Sequence, residues 1–262
     1  MNTISSLSFV HPDAILGDNV VVEPFAYVDA NVEIGDGSRI LTHAVILSGS
    51  RIGKDCTIFP NATIGGIPQD LKFMGEDSLA IIGDGTVVRE CATVNRGTAS
   101  KGFSIVGKNC LIMAYSHVAH DCILKDHVIL GNTSQLAGEV EVEDYAILSG
   151  GTLVHQFTKV GSHVMIQGGT RLGKDIPPFV MAGRDPVSFV GLNIVGLRRR
   201  RFTSGQINNI QEVYRLLYQS GLNISQALAK IETELPESEE KSTILNFVRA
   251  SSRGIVRGNM DA

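Results

Sequence analysis

Residues 16–64 read LGDNVV VEPFAY VDANVE IGDGSR ILTHAV ILSGSR IGKDCT IFPNAT I, with an aliphatic residue at every sixth position: Leu16, Val22, Val28, Ile34, Ile40, Ile46, Ile52, Ile58 and Ile64. The same phase returns at Ile82, Val88 and Val94, and again from Val106 through Ile112, Val118 and every sixth residue to Leu172, 24 hexads in all. Four residues after most of these aliphatics stands a small or β-branched residue, among them Ala26, Ser38, Ala44, Cys56, Ala62, Cys110, Ser116, Cys122 and Thr152. A period of six suits neither a helix nor a long strand, whose side chains recur every 3.6 and 2 residues, but it suits a short strand followed by a tight corner. Three such units close a triangular coil of about eighteen residues, and stacked coils, about 4.8 Å apart, bury the aliphatic column in a prism.

Composition agrees. Glycine is 28 of 262 residues, aromatics are 6% and tryptophan is absent, as a narrow aliphatic prism with many corners requires. The formal charge of −4 is too balanced for a general nucleic-acid binder. The opening MNTISSLSFVHPDAI has no basic, then apolar, secretory pattern, and no stretch approaches the length of a membrane span. Cys56, Cys91, Cys110 and Cys122 form no CxxC pair or zinc-finger spacing. The expectation is a reduced, cytoplasmic protein. GGIPQDLKFMGEDSL at 65–79 and ASKGF at 99–103 interrupt the hexads while keeping their phase. The first must leave the prism as a loop and carries Gln69, Asp70 and Lys72; the second shows no comparable chemistry. Beyond Pro178 the hexads stop. A helix is predicted from about 203, with Ile207, Ile210, Val213, Leu216 and Leu217 on one face and Gly221 as its stop. A second follows Asn223 or Ser225, and a third runs from about Pro236 through Ile244 and Val248. The boundaries expected are a β-helix over 1–190 and a helical domain over 191–262.

His117 and His120 flank the inward Val118, so both face away from the core. A step of eighteen stacks His120, Gly138 and Gln156 on successive coils and sets His155 two coils above Ala119. A histidine that can take a hydroxyl proton, beside a glycine whose N–H is open to a developing oxyanion, suits acyl transfer. Asp121 would hold the His120 tautomer only if a corner turned it back towards its neighbour. A zinc reading is weaker, because the histidine spacing fits no three-histidine site, and no metal is expected.

IPQDLK at 67–72, NRGT at 95–98, HVAHD at 117–121, LAGE at 136–139, HQF at 155–157, DIPPFVMAG at 175–183 and NIVGLRRR at 193–200 carry a closer resemblance. Together they resemble the acyl-carrier-protein–UDP-N-acetylglucosamine O-acyltransferases of lipid A synthesis, within the wider hexapeptide-repeat acyltransferases. The resemblance implies a left-handed parallel β-helix, a homotrimer with sites between subunits, and transfer of a 3-hydroxyacyl group from acyl carrier protein to the sugar 3-hydroxyl. It implies no cofactor held by the chain, since the phosphopantetheine arrives on the donor. His120 matches the general base, Gly138 the oxyanion amide, and Gly168 the residue that measures acyl length. Asp70, His117 and Gln156 match residues that hold the hexosamine and Lys72 a phosphate contact, and Gln69, Glu139, His155, Asn193, Arg199 and Arg200 are expected as further substrate contacts, the arginines within a basic run. The loop at 69–72 is expected to serve a neighbouring subunit's His120. Two departures stand out: Glu139 replaces a histidine that follows the glycine in better-known members, and Val195 replaces a glutamate near the nucleotide. Alternative readings are the N-acyltransferase of the same pathway, which typically has an extra N-terminal domain where this chain enters its hexads by residue 16, and a non-catalytic solenoid subunit.

Overall fold

Most hexads fold as a two-residue strand and a turn, as in Val21–Val22, Tyr27–Val28 and Glu33–Ile34. The computed structural model describes residues 1–258. The strands stack into three walls of eleven, nine and eight strands, visited in rotation and parallel except for the last strand of the eleven, and the coil is a left-handed parallel β-helix. The usual register is a step of eighteen: His117 pairs with Gln135 and Leu136 with Val154. Across the first interruption the step grows to thirty (Ile58 to Val88), and across the second to twenty-four (Val94 to Val118). Both interruptions are therefore loops thrown out from coils that close again in register.

In the two-residue strands from Val21–Val22 to Arg171–Leu172 the second residue points inward. From Val22 to Leu172 these aliphatics are buried, while Leu16, in the first coil with no coil beneath it, is only half-buried. The small column behind them is buried too, including Ser38, Cys56, Ser116 and Thr152. Burial pushes the Cys110 thiol up to about 11 and the Cys122 thiol to about 12, as packing residues rather than reactive ones.

The corners have a period of their own. Asn19, Phe25, Asn31, His43, Asp55 and Asn61, and later Tyr115, Asp121, His127, Thr133, Glu139 and Tyr145, all take positive φ, between 52° and 63°. This backbone region is uncommon for any side chain and tolerates Asn and Asp best. The stacked coils impose it on aromatic residues as well, at a local cost that the continuous ladder offsets.

After Leu172 the chain crosses the end of the prism. Val180–Gly183 joins the eleven-strand wall and turns antiparallel into Ser188–Leu192. Four helices follow: α1 (Ile194–Arg199), α2 (Ser204–Gln219), α3 (Ile224–Glu234) and α4 (Glu239–Ala250). Helix α1 was not expected, since six residues are too few to show a 3.6-residue period. Helix α4 starts three residues later than expected, because the Ser238 side chain accepts from the Lys241 amide and caps it there. The helices are tied to the last coil: the Tyr214 hydroxyl donates to Pro178 O at 2.6 Å, and buried Asp175 accepts from Lys159 N and Ser251 Oγ. Among the described residues no helix is long and apolar enough to cross a membrane.

Candidate active site

His117 stands on the strand His117–Val118 of the nine-strand wall, and His120 and Asp121 form the corner that follows. Because Asp121 has φ of 60°, its side chain turns back, and His120 Nδ1 lies 2.8 Å from Asp121 Oδ2. The Asp121 side chain is fully buried. Burial alone would push its carboxyl up; the Thr98 hydroxyl, His120 and the Thr98 and Lys101 amides outweigh it and hold the group below the usual carboxylate value. Thr98 N donates to Oδ1 at 3.0 Å, Thr98 Oγ1 to Oδ2 at 2.7 Å and Lys101 N to Oδ1 at 3.2 Å. An ionised Asp121 accepts from Nδ1–H, which leaves Nε2 of His120 unprotonated and free to take a proton.

Nε2 opens into a groove of about 730 Å³ along the outside of the wall, lined by His117, His120, Gly138, Leu153, Gln156 and Arg171 among others, with Gln69 at its edge. Gly138 sits one coil above His120. A Cβ there would lie within 2.5 Å of Nε2, so any side chain would displace the imidazole. The flanking amides are committed, Ala137 N to Val154 O and Glu139 N to His120 O, while the Gly138 N–H has no acceptor among the described residues. His117 Nδ1 is 2.7 Å from Thr93 Oγ1, its ladder neighbour. Burial, then the nearby His120, push the His117 ring below its usual value and keep it neutral near pH 7.

The loop between Gly66 and Leu79 folds back over this groove on its own chain. Asp70 Oδ2 is 3.9 Å from His120 Nε2, which corrects the expectation that the loop serves a neighbour's histidine. Lys72 stays exposed, its amide donating to Asp70 Oδ1. His155 and Gln156 line the groove two coils above, with His155 Nδ1 3.0 Å from Gln156 O. Glu139 does not line it: its corner turns the carboxylate away, to accept from Ser100 Oγ at 2.7 Å. Asn193, Arg199 and Arg200 do not line it either. Asn193 caps α1 and donates to His163 O, Arg200 donates to Tyr145 O, and Arg199 is exposed. Gly168 lies on the corner that leads into this wall from the eleven-strand one, the opposite edge from His120. Thr93, Thr98 and Lys101 are the contributors that residue-type reasoning missed. Thr93 could have been found by stepping back along the ladder from His117, and Thr98 closes the NRGT segment.

The family described as "Udp N-acetylglucosamine O-acyltransferase; Domain 2" matches residues 175–256, and hexapeptide transferase repeats match 13–48, 31–66 and 103–138. The acyl-[acyl-carrier-protein]–UDP-N-acetylglucosamine O-acyltransferase of Thermodesulfovibrio yellowstonii is 40% identical over 258 residues, covering 98% of this chain and all of the relative. This chain belongs to that acyltransferase family. The member from Verminephrobacter eiseniae is also 40% identical, over 96% of the chain and 100% of its own length. Among solved acyltransferases, the Bacteroides fragilis structure superposes with a TM-score of 0.96 at 54% identity, covering 97% of this chain and 100% of that one. The Francisella novicida enzyme gives 0.95 at 38% identity, covering 98% and 95%. Acyltransferase membership thus extends from the first coils to the helices, and the His120 groove lies within the stretch it covers.

Proposed function

We propose that this acyltransferase moves a (R)-3-hydroxyacyl group from acyl carrier protein to the 3-hydroxyl of UDP-N-acetylglucosamine, the opening step of lipid A synthesis, in the cytoplasm and as a homotrimer. The observation that carries the mechanism is His120 Nε2 open to the groove while Nδ1 is held by a buried carboxylate, beside an uncommitted glycine amide. Nε2 takes the proton of the sugar hydroxyl as its oxygen attacks the thioester carbonyl. A C–O bond forms, and the negative charge on the carbonyl oxygen is met by the Gly138 N–H. When the C–S bond breaks, the imidazolium returns the proton to the departing phosphopantetheine thiolate. Asp121 stabilises the imidazolium in between and keeps the ring oriented.

Gln69, Asp70, His117 and Gln156 are suited to hold the hexosamine, and Lys72 to meet phosphate once substrate draws the loop inward. Asn193, Arg199 and Arg200 lie outside their own chain's groove, so in a closed trimer they would serve the adjoining subunit's site. The test is mass spectrometry of products from a mixed pool of acyl carrier proteins with UDP-N-acetylglucosamine. His120→Ala should lower the rate roughly 10²–10⁴-fold with the fold unchanged. A rate within a few-fold of the parent removes His120 from the role of base, and acylation of a sugar amine in place of the hydroxyl points to the N-acyltransferase.

A further inference from the structure

The excursion at 99–103 has no obvious chemistry in its sequence, yet it meets the His120–Asp121 pair from behind. Lys101 Nζ donates to the Asp121 carbonyl at 3.1 Å, and lies 3.6 Å from Glu139 Oε2 and 3.7 Å from Glu141 Oε1. Ser100 Oγ donates to the other Glu139 oxygen at 2.7 Å, and Ser100 N to Thr98 Oγ1 at 3.2 Å. Glu139 N in turn donates to the His120 carbonyl at 3.0 Å. Both backbone carbonyls of the pair are thus held, one by the Lys101 ammonium and the other by the corner amide of Glu139. The side chains of Lys101 and Glu139 are only about one-fifth exposed, 22% and 18%, so solvent screens them less than surface charges.

Charge needs balance here. Asp70 faces Nε2 of His120 and Asp121 faces Nδ1, Glu139 and Glu141 flank the corner from the coil above, and Glu76 reaches in to accept from Ala99 N. His117, kept neutral, adds no charge. Lys159 pairs with Glu141 from its far side, which leaves Lys101 as the cation set between Asp121 and Glu139.

We propose that Lys101 and Glu139 are positioning residues, an ion pair that fixes the backbone of the His120–Asp121 corner and offsets the carboxylates around it. Glu139 thereby has a role that does not require contact with the sugar, and the excursion at 99–103 delivers Lys101 to the corner beside Thr98. The inference rests on His120 as base.

Activity–pH profiles with saturating substrates test it, because the two charges act with opposite sign. Lys101→Met removes a cation, so the imidazole holds its proton more strongly and the acid limb of kcat should move to higher pH, with kcat at pH 7 falling several-fold. Glu139→Gln removes an anion and should move the limb to lower pH, with KM for the sugar nucleotide unchanged. The double variant should bring the limb back towards the parent, and Lys101→Arg should leave it in place. If both single variants lower kcat without moving the limb, Lys101 and Glu139 are structural only and the proposal falls. If Glu139→Gln raises KM with the limb unmoved, Glu139 is a substrate contact and the proposal also falls. Should Lys101→Met not fold, the sign of the Glu139→Gln shift decides alone. Full activity of His120→Ala would instead sink the reading of His120 as base, whichever way the limbs move.

Discussion

Asp121 shows what one torsion contributes to a site. Neighbouring residues on a strand point to opposite faces, yet His120 and Asp121 share a 2.8 Å hydrogen bond because Asp121 sits at φ 60°. Its residue type and the need for a corner were legible in the sequence; that the corner is left-handed was not, since the same period places Tyr115 and Phe157 there too. Gly168 is the reverse case, where the structure removes a competing explanation. The left-handed glycine in QGGT is Gly169, with φ 72°, whereas a Cβ on Gly168 meets only Gly150 O at 3.2 Å and the Ser149 Cβ. Methionine at 168 is therefore compatible with the coil after a small adjustment. If Gly168 measures acyl length, Gly168→Met obstructs the far end of the acyl path at about 1–3 kcal/mol of overpacking, roughly 5- to 150-fold against long donors. Short donors should react at nearly the parent rate. Competition between long and short acyl carriers measures the ratio, and an unchanged ratio with both rates lowered removes Gly168 from that role.

At the scale of elements, the corner column leading to the helices is a stack of rings. His127, Tyr145, His163 and Phe179 lie face to face with centroids 4.5–5.6 Å apart, and Phe202 meets His163 and Phe179 edge-on. His163 is the member left with an unmet polar group: its Nδ1 is buried without a partner among the described residues. Burial, then the Arg200 guanidinium, push the ring down to about 4, with Asp144 pulling the other way. In the unfolded chain a histidine titrates near 6.5. A depressed folded value means that the stability contributed by the neutral ring is complete above pH 6.5 and is lost as pH falls from there towards 4. His163→Phe keeps the stack and removes the titration. Its Tm should exceed the parent's by a margin that widens from pH 7.5 to pH 5, in scanning calorimetry at both; a constant margin would show that His163 does not carry this pH dependence. The helices were legible where their sequences advertise caps, as in Thr203 with Gln206 and Asn223 with Gln226, both capping boxes. Short α1, capped by Asn193, carries no such periodic signal.

The molecule as a whole divides the expected site residues into two sets. Gln69, Asp70, His117, His120, Gly138 and Gln156 gather about one groove, and Asn193, Arg199 and Arg200 gather elsewhere on the same chain. If a trimer unites them, mixed assemblies should show it. His120→Ala subunits exchanged with Arg199→Ala subunits should regain part of the activity, because some sites then join an intact His120 from one chain to an intact Arg199 from another. His120→Ala mixed with Asp70→Asn should regain none, since those residues meet within one chain. Rescue in the second mixture, after subunit exchange is confirmed by native mass spectrometry, would overturn the single-chain pairing. Failure in the first would place Arg199 and His120 in the site of one and the same chain.

By itself the sequence determined the prism, because a six-residue aliphatic period has one way to bury itself and the eighteen-residue step makes column neighbours readable from residue numbers alone. It therefore also placed His120, Gly138 and Gln156 in line. Only the tertiary structure decided where the loops fall. Residues outside the period obey no register, so nothing in IPQDLK says that Asp70 returns to its own His120, and nothing in ASKGF says that Lys101 reaches Asp121 and Glu139. Such contacts are made by chain that leaves the lattice and comes back, and their geometry is set by the coils that close beneath them.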